Sequence, residues 1–188
     1  DGARSLRDAL RPMRQPGIEV RPIVQITGDS EFSEVFYSGA RTTEENLVGG
    51  VNGGWKVAMG TLAFERGAST LGQQMLFQNE LDEIIGIAKS NGAARDPVMR
   101  QRIADAWIGL RIQRYNALRM LSSKEAIETG SSRESMITKL FWATWHRNLG
   151  ELAMDVLGAE SEVTDGEPYQ LTRLQRMYLF TRSDTIYA

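Results

Sequence analysis
Apolar and polar positions follow two different periods along the chain, and the change falls near residue 54. From Gly54 to Ser90 no proline interrupts, and Leu71, Met75, Leu81, Ile84, Ile85 and Ala88 recur at helical three- and four-residue steps. One long helix with a single apolar stripe is predicted, roughly 55 Å long. Asn91-Gly92 ends it, and Asp96-Pro97 opens the next as N-cap and first helical residue. Ile103, Trp107, Leu110, Leu118 and Leu121 make a second stripe that reaches to Glu128, and Thr129-Gly130-Ser131-Ser132 reads as a loop. Ile137, Phe141, Trp145, Leu149, Leu152 and Val156 then give a regular buried face that Leu157-Gly158 closes. Residues 159–168 are polar and loop-like, and 169–187 read as a fourth helix. Long helices joined by short connections predict an antiparallel four-helix bundle over 54–188.

Before residue 54 the pattern is that of short strands between turns. Pro16-Gly17 is a turn, followed by Ile18-Glu19-Val20-Arg21 and Ile23-Val24-Gln25-Ile26. Thr27-Gly28-Asp29-Ser30 turns again, and Phe32, Val35, Phe36 and Tyr37 supply aromatic and β-branched residues. The fold class is therefore mainly α: an antiparallel four-helix bundle preceded by a short β segment over residues 1–53. Strands in so short a stretch would struggle to bury a core alone. Arg4, Arg7, Arg11 and Arg14 fall at helical spacing, but Pro12 lies inside that stripe and a solvated basic face accounts for it.

Composition narrows the chemistry. The 188 residues carry 22 Lys+Arg against 24 Asp+Glu, a net charge of −2, which argues against binding nucleic acid by phosphate neutralisation. With no cysteine there is no disulfide, thiolate metal site or cysteine nucleophile, and one histidine, His146, excludes a multi-histidine zinc site. Absence of cysteine suits the cytoplasm, and no apolar run is long enough to span a membrane. Any catalysis must then rest on carboxylates or a bound cofactor; no metal site is expected. Gly49-Gly50-Val51-Asn52-Gly53-Gly54 is glycine-rich but has the spacing of neither common phosphate-binding loop.

Four features could carry chemistry, each with a plainer alternative. Gly53, Gly60 and Gly67 recur every seven residues and leave a strip of bare backbone, which fits a close helix crossing or the approach of a flat ligand. Glu65, between Phe64 and the Arg66-Gly67 pair, would gain strength as a general base if desolvated, although locally it also fits a surface Glu–Arg pair. His146, beside Trp145, fits a satisfied structural histidine better than a catalytic one. Trp142, Trp145 and the methionines fit core packing.

The segment Val48-Gly49-Gly50-Val51-Asn52-Gly53-Gly54-Trp55-Lys56-Val57-Ala58-Met59-Gly60-Thr61-Leu62-Ala63-Phe64-Glu65-Arg66-Gly67 resembles acyl-CoA dehydrogenases, where the middle β domain enters the C-terminal helical domain. Residues 16–23 and 27–36 resemble the late strands of that β domain. Asp155-Val156-Leu157-Gly158-Ala159 stands where the family has Gln-[IV]-Leu-Gly-Gly, and Arg182-Ser183-Asp184-Thr185-Ile186-Tyr187-Ala188 resembles the approach to its flavin-site loop.

The resemblance implies the C-terminal half of an FAD-dependent enzyme that dehydrogenates an acyl-CoA thioester between its α and β carbons, in fatty-acid or related acyl catabolism. The half by itself is expected to be inactive. A carboxylate takes the α proton, the flavin supplies the redox chemistry, and a separate electron-transfer protein re-oxidises it. Many members carry the base immediately before Gly-Thr in the flavin-site loop, the place of Ala188; others carry it on the first helix, at the place of Glu65. The resemblance thus implies Glu65 as base, Arg66 near the thioester and Tyr187 lining the acyl pocket. It implies Gln101, Asp155 and Gly158 near FAD, although Asp155 replaces the family's glutamine and Ser90–Pro97 lacks its Arg-x-x-Phe-Gly motif. A homo- or hetero-tetramer is the expected assembly. The alternative is a non-catalytic subunit or helical assembly module of such an oligomer.

Overall fold
The computed structural model describes residues 8–123, 133–164 and 170–186, and of these only the backbone at residues 8, 63–71, 133 and 134. Two compact units result, residues 1–65 and 66–188.

In the first unit, β2 (Ile18–Ile23) pairs antiparallel with β3 (Phe32–Tyr37), Val20 opposite Val35, and the short β1 (Asp8–Ala9) pairs with β4 (Leu47–Val48). The strands sit where alternation placed them. Pairing at residues 8–9 rules out a helical basic stripe through Arg11, whose guanidinium instead lies 4.8 Å from the centre of the Tyr37 ring. Val20, Ile23, Phe32, Phe36 and Tyr37 remain exposed, as expected of a sheet too small to bury its own faces. A tight turn follows β4: Gly49, Gly50 and Asn52 have positive φ. A Cβ at Gly53 would meet the Gly49 carbonyl oxygen at 2.1 Å. Gly53 thus serves a local turn, and a Cβ on Gly60 would meet nothing within 4 Å.

The helices are α1 (Gly54–Ser90), α2 (Pro97–Ser122), α3 (Arg133–Leu157) and α4 (Arg173–Thr181). Both bounds of α1 match the expectation. The Asp96 side chain accepts from Val98 N at 2.9 Å, capping α2 with Pro97 at its first position. Three helix ends differ from the sequence reading. Ser123 is already extended, so α2 stops at Ser122 rather than near Glu128. The last helix is nine residues, not 169–187: Thr172 and Gln175 form a capping box at its start, and turns take over after Thr181.

Within residues 66–188 the helices run up and down. Arg102 meets Asp155, Trp145 meets Ala106, and Thr138 meets Met120, so α2 and α3 are antiparallel. Arg182 bonds Glu151, and Gln175 bonds Ser161 and Val163, so α4 returns along α3. The core joins Phe77, Leu81, Ile84 and Ala88 of α1 to Trp145, Leu149, Leu152, Ala153 and Val156 of α3, with Leu110 of α2 and Leu174 and Met177 of α4. Each fully buried leucine or isoleucine contributes about 1.5–3 kcal/mol.

Several predicted core positions are exposed. On α1 Met75 is 71% exposed and Phe77 takes the buried place. On α2 Trp107, Leu118 and Leu121 face outward, while Gly109, Leu110, Gln113, Ala117 and Met120 face in. The reason is Trp145: its indole lies so close to α2 that a Cβ at Gly109 would sit 2.5 Å from Cδ1. The inward face of α2 must therefore be built of small residues there. Ile137 at the start of α3 is also exposed, whereas Trp145 through Val156 are buried as expected.

Candidate functional site
Glu65 and Arg66 lie on α1 and Tyr187 follows the last described residue; the side chains of all three fall outside the described residues. The site positions that can be placed are Gln101, Asp155 and Gly158. Gln101 is exposed on the first turns of α2. Asp155, on the last turn of α3, accepts from Arg102 Nη2 at 2.5 Å, which sets the start of α2 beside the end of α3. Gly158 follows with φ +61° and open space where a Cβ would stand.

An open groove of about 580 Å³ adjoins this end, lined in part by Glu151, Asp155, Glu162, Gln175 and Tyr178. The donor set tests the fit of a flavin nucleotide. An exposed carboxamide and an open left-handed backbone can meet an adenosine edge. A diphosphate would instead face Glu151, Asp155 and Glu162, with Arg102 already engaged, so like charge opposes it. The acidic lining of this groove does not fit the phosphates of FAD, and neither Gln101 nor Gly158 lines it. Among the described residues no group of three or more His, Asp or Glu is arranged to hold a metal ion, and no helix is long and apolar enough to cross a membrane.

The most organised polar cluster is one that spacing did not disclose. His146, on α3, is buried; its Nδ1 lies 2.6 Å from Asp184 Oδ2 and its Nε2 2.9 Å from Glu80 Oε2. Asp184 is 1% exposed, in the turn after α4, and Glu80 is on α1. Facing two ionised carboxylates, both ring nitrogens find an acceptor when both carry hydrogen, the imidazolium form. The ring also packs on Phe77, centroids 4.3 Å apart. His146 is thus a satisfied buried histidine. Its partners stand 66 and 38 residues away in sequence, and the only sequence signal was that a histidine beside a buried tryptophan needs polar partners.

Burial alone would push the His146 pKa down; its hydrogen bonds to Asp184 and Glu80, then their charges, outweigh it and raise it from 6.5 to about 8. Lys139, also on α3, is pulled below its ordinary value by burial, with the Asp184 charge opposing. Because the folded state binds the His146 proton more tightly than the unfolded chain, the stabilisation is complete below pH 6.5 and is lost as pH rises through about 8. The shift corresponds to about 2 kcal/mol. Denaturant unfolding between pH 6 and 9 is expected to show stability falling by that order in wild type relative to His146→Gln. Parallel pH profiles for the two proteins would refute this.

Residues 52–188 match the family model for acyl-CoA dehydrogenase, C-terminal domain. The chain is 50% identical over 179 residues to acyl-CoA dehydrogenase IpdE1 of Mycobacterium tuberculosis, covering 95% of this chain and 45% of that protein. It spans about half the length of the curated relatives it matches. In fold it superposes on the Tcur3481-Tcur3483 steroid ACAD with a TM-score of 0.80 at 21% identity, over 96% of this chain and 47% of that one. The corresponding values for the ChsE4-ChsE5 complex from Mycobacterium tuberculosis are 0.77 and 22%, over 96% and 48%.

Proposed function
Since the chain belongs to the acyl-CoA dehydrogenase family, we propose that it is the C-terminal part of an FAD-dependent enzyme that dehydrogenates an acyl-CoA thioester, with Glu65 as the base. Residues 1–53 are read as the end of its middle β domain and 54–188 as its C-terminal bundle domain. What carries the assignment of the base is a pair of residues: Glu65 on α1, and Ala188 at the position where other members hold their carboxylate.

Glu65 removes the α proton of the thioester. Arg66, its neighbour, orients the thioester end of the substrate, and Tyr187 lines the acyl pocket. FAD, when bound, would supply the redox chemistry: a hydride acceptor for the β hydrogen and a route for the electrons to a separate acceptor protein. Gln101 and Gly158 would hold the adenosine end of the cofactor, and Asp155 is paired with Arg102. Donors for the diphosphate would have to come from outside this set, which a tetramer with shared sites would allow.

The acidic surroundings of Asp155 also favour a second reading, a subunit that contributes bundle surface to a hetero-oligomer without carrying chemistry itself. A visible spectrum of the full-length protein, of known intact mass, separates the two. A flavin band that bleaches on anaerobic addition of an acyl-CoA is expected. A colourless protein, or a band unmoved by acyl-CoA, would sink the first reading and favour the second.

A further inference from the structure
We propose that the outward face of α2 is a docking site for a non-identical protein that presents an amphipathic helix with acidic flanks. The inference stands on this surface and holds whether or not the chain carries out the dehydrogenation.

Six large apolar side chains of α2, Trp107, Ile108, Ile112, Tyr115, Leu118 and Leu121, are each 42–63% exposed. From Ile108 onward they recur at steps of four, three, three and three, so they share one side of the helix. The opposite side, with Leu110, Ala117 and Met120, is the one turned into the bundle. The outward residues form a ridge about 21 Å long. Single exposed hydrophobic residues are ordinary, whereas a contiguous ridge of them marks an interaction surface. Its composition agrees, since tryptophan, tyrosine and arginine are the residues that most often anchor interfaces. Trp107 and Arg111 are already paired in that manner, the guanidinium 4.8 Å from the ring centre. A ridge of this length on a helix is matched by a second helix laid along it.

Charge selects the occupant. Between Ala106 and Ser122, α2 carries Arg111, Arg114 and Arg119 and no acidic residue. Arg114 and Arg119 are exposed and Arg111 is half-buried. Arg111 and Arg114 make no ion pair among the described residues, and Arg119 donates to Asn116 Oδ1 at 3.4 Å. The one acid of the helix, Asp105, precedes this stretch and lines the cleft between α2 and α3 with Trp145 and Asn148. A second copy docked across a two-fold axis would therefore lay the arginines against themselves, and like charges facing across an interface repel. Aspartate or glutamate beside the apolar positions of a different protein would instead offer each guanidinium a bidentate acceptor.

The test uses the full-length protein and two labelled synthetic helical peptides with the same leucine stripe, one flanked by glutamates and the other by lysines. Fluorescence anisotropy is expected to show the glutamate peptide binding about tenfold tighter or more, with the preference shrinking as salt rises. The double change Arg111→Glu, Arg114→Glu is expected to reverse the preference, a gain of binding that an unfolded variant would not show. Tyr115→Ala is expected to weaken the glutamate peptide about tenfold. Equal affinity for the two peptides would overturn the proposal, as would a preference that survives the double charge reversal. Sedimentation velocity of the full-length chain tests the rival occupant. Self-association that Ile112→Asp abolishes, with the helical circular dichroism retained, would place a second copy on this face and overturn the proposal as well.

Discussion

Replacing Glu65 by glutamine is expected to lower kcat for acyl-CoA dehydrogenation by about 10²–10⁴-fold, the usual contribution of a positioned general base. That corresponds to about 3–5.5 kcal/mol of transition-state stabilisation. The amide keeps the size and most of the polarity of the carboxylate but cannot accept the α proton, so binding of the thioester is expected to survive within a few-fold. The rate of flavin bleaching in a single anaerobic turnover is the measurement, because it isolates the proton and hydride step from re-oxidation. Bleaching within tenfold of wild type would show that another group is the base. Ala188, with no ionisable side chain, is not available for that role.

Trp145→Ala is expected to cost the helical unit about 3–5 kcal/mol, the range for deleting a buried aromatic side chain. The indole is 9% exposed and packs on Phe77 with ring centroids 5.2 Å apart. Its Nε1 donates to the Ala106 carbonyl at 2.9 Å. On its α2 side lies Gly109, a residue with no side chain to swing into the space vacated. The cavity would therefore stay largely open, which places the loss at the upper end of the range. Guanidinium unfolding followed by helical circular dichroism reads it directly. A loss below about 1 kcal/mol would mean that α2 collapses onto α3, and that the close approach at Gly109 is adaptable.

The base candidate was legible because its setting is local: a continuous block from Val48 to Gly67 carries the family's pattern, and Glu65 lies inside it. The His146 cluster was not legible. Its carboxylates come from α1 and from the turn after α4, and nothing in the spacing of Glu80 or Asp184 sets them apart from surface acids. The α2 stripe was misread for a related reason. Large apolar residues at helical spacing mark one face, yet Trp107, Leu118 and Leu121 point outward, because the facing helix brings a tryptophan that only Gly109 can accommodate. On α1 the same logic exchanges Met75 for Phe77. Thr172 and Gln175 carry a capping box that the pattern contained, and it shortens the last helix to Arg173–Thr181.

By itself, the sequence determined the break between strands and helices near residue 54, the span of α1, the proline-started α2 and the buried face of α3 from Trp145 to Val156. Those features follow from period, capping and proline, which act over a few residues and need no partner. Tertiary structure alone decided which face of α2 turns inward, and that Asp155 is held by Arg102. It also decided that a lone histidine is clamped between two distant carboxylates. Each of these depends on the volume or charge that another helix brings to the contact, a quantity that exists only once the helices have packed.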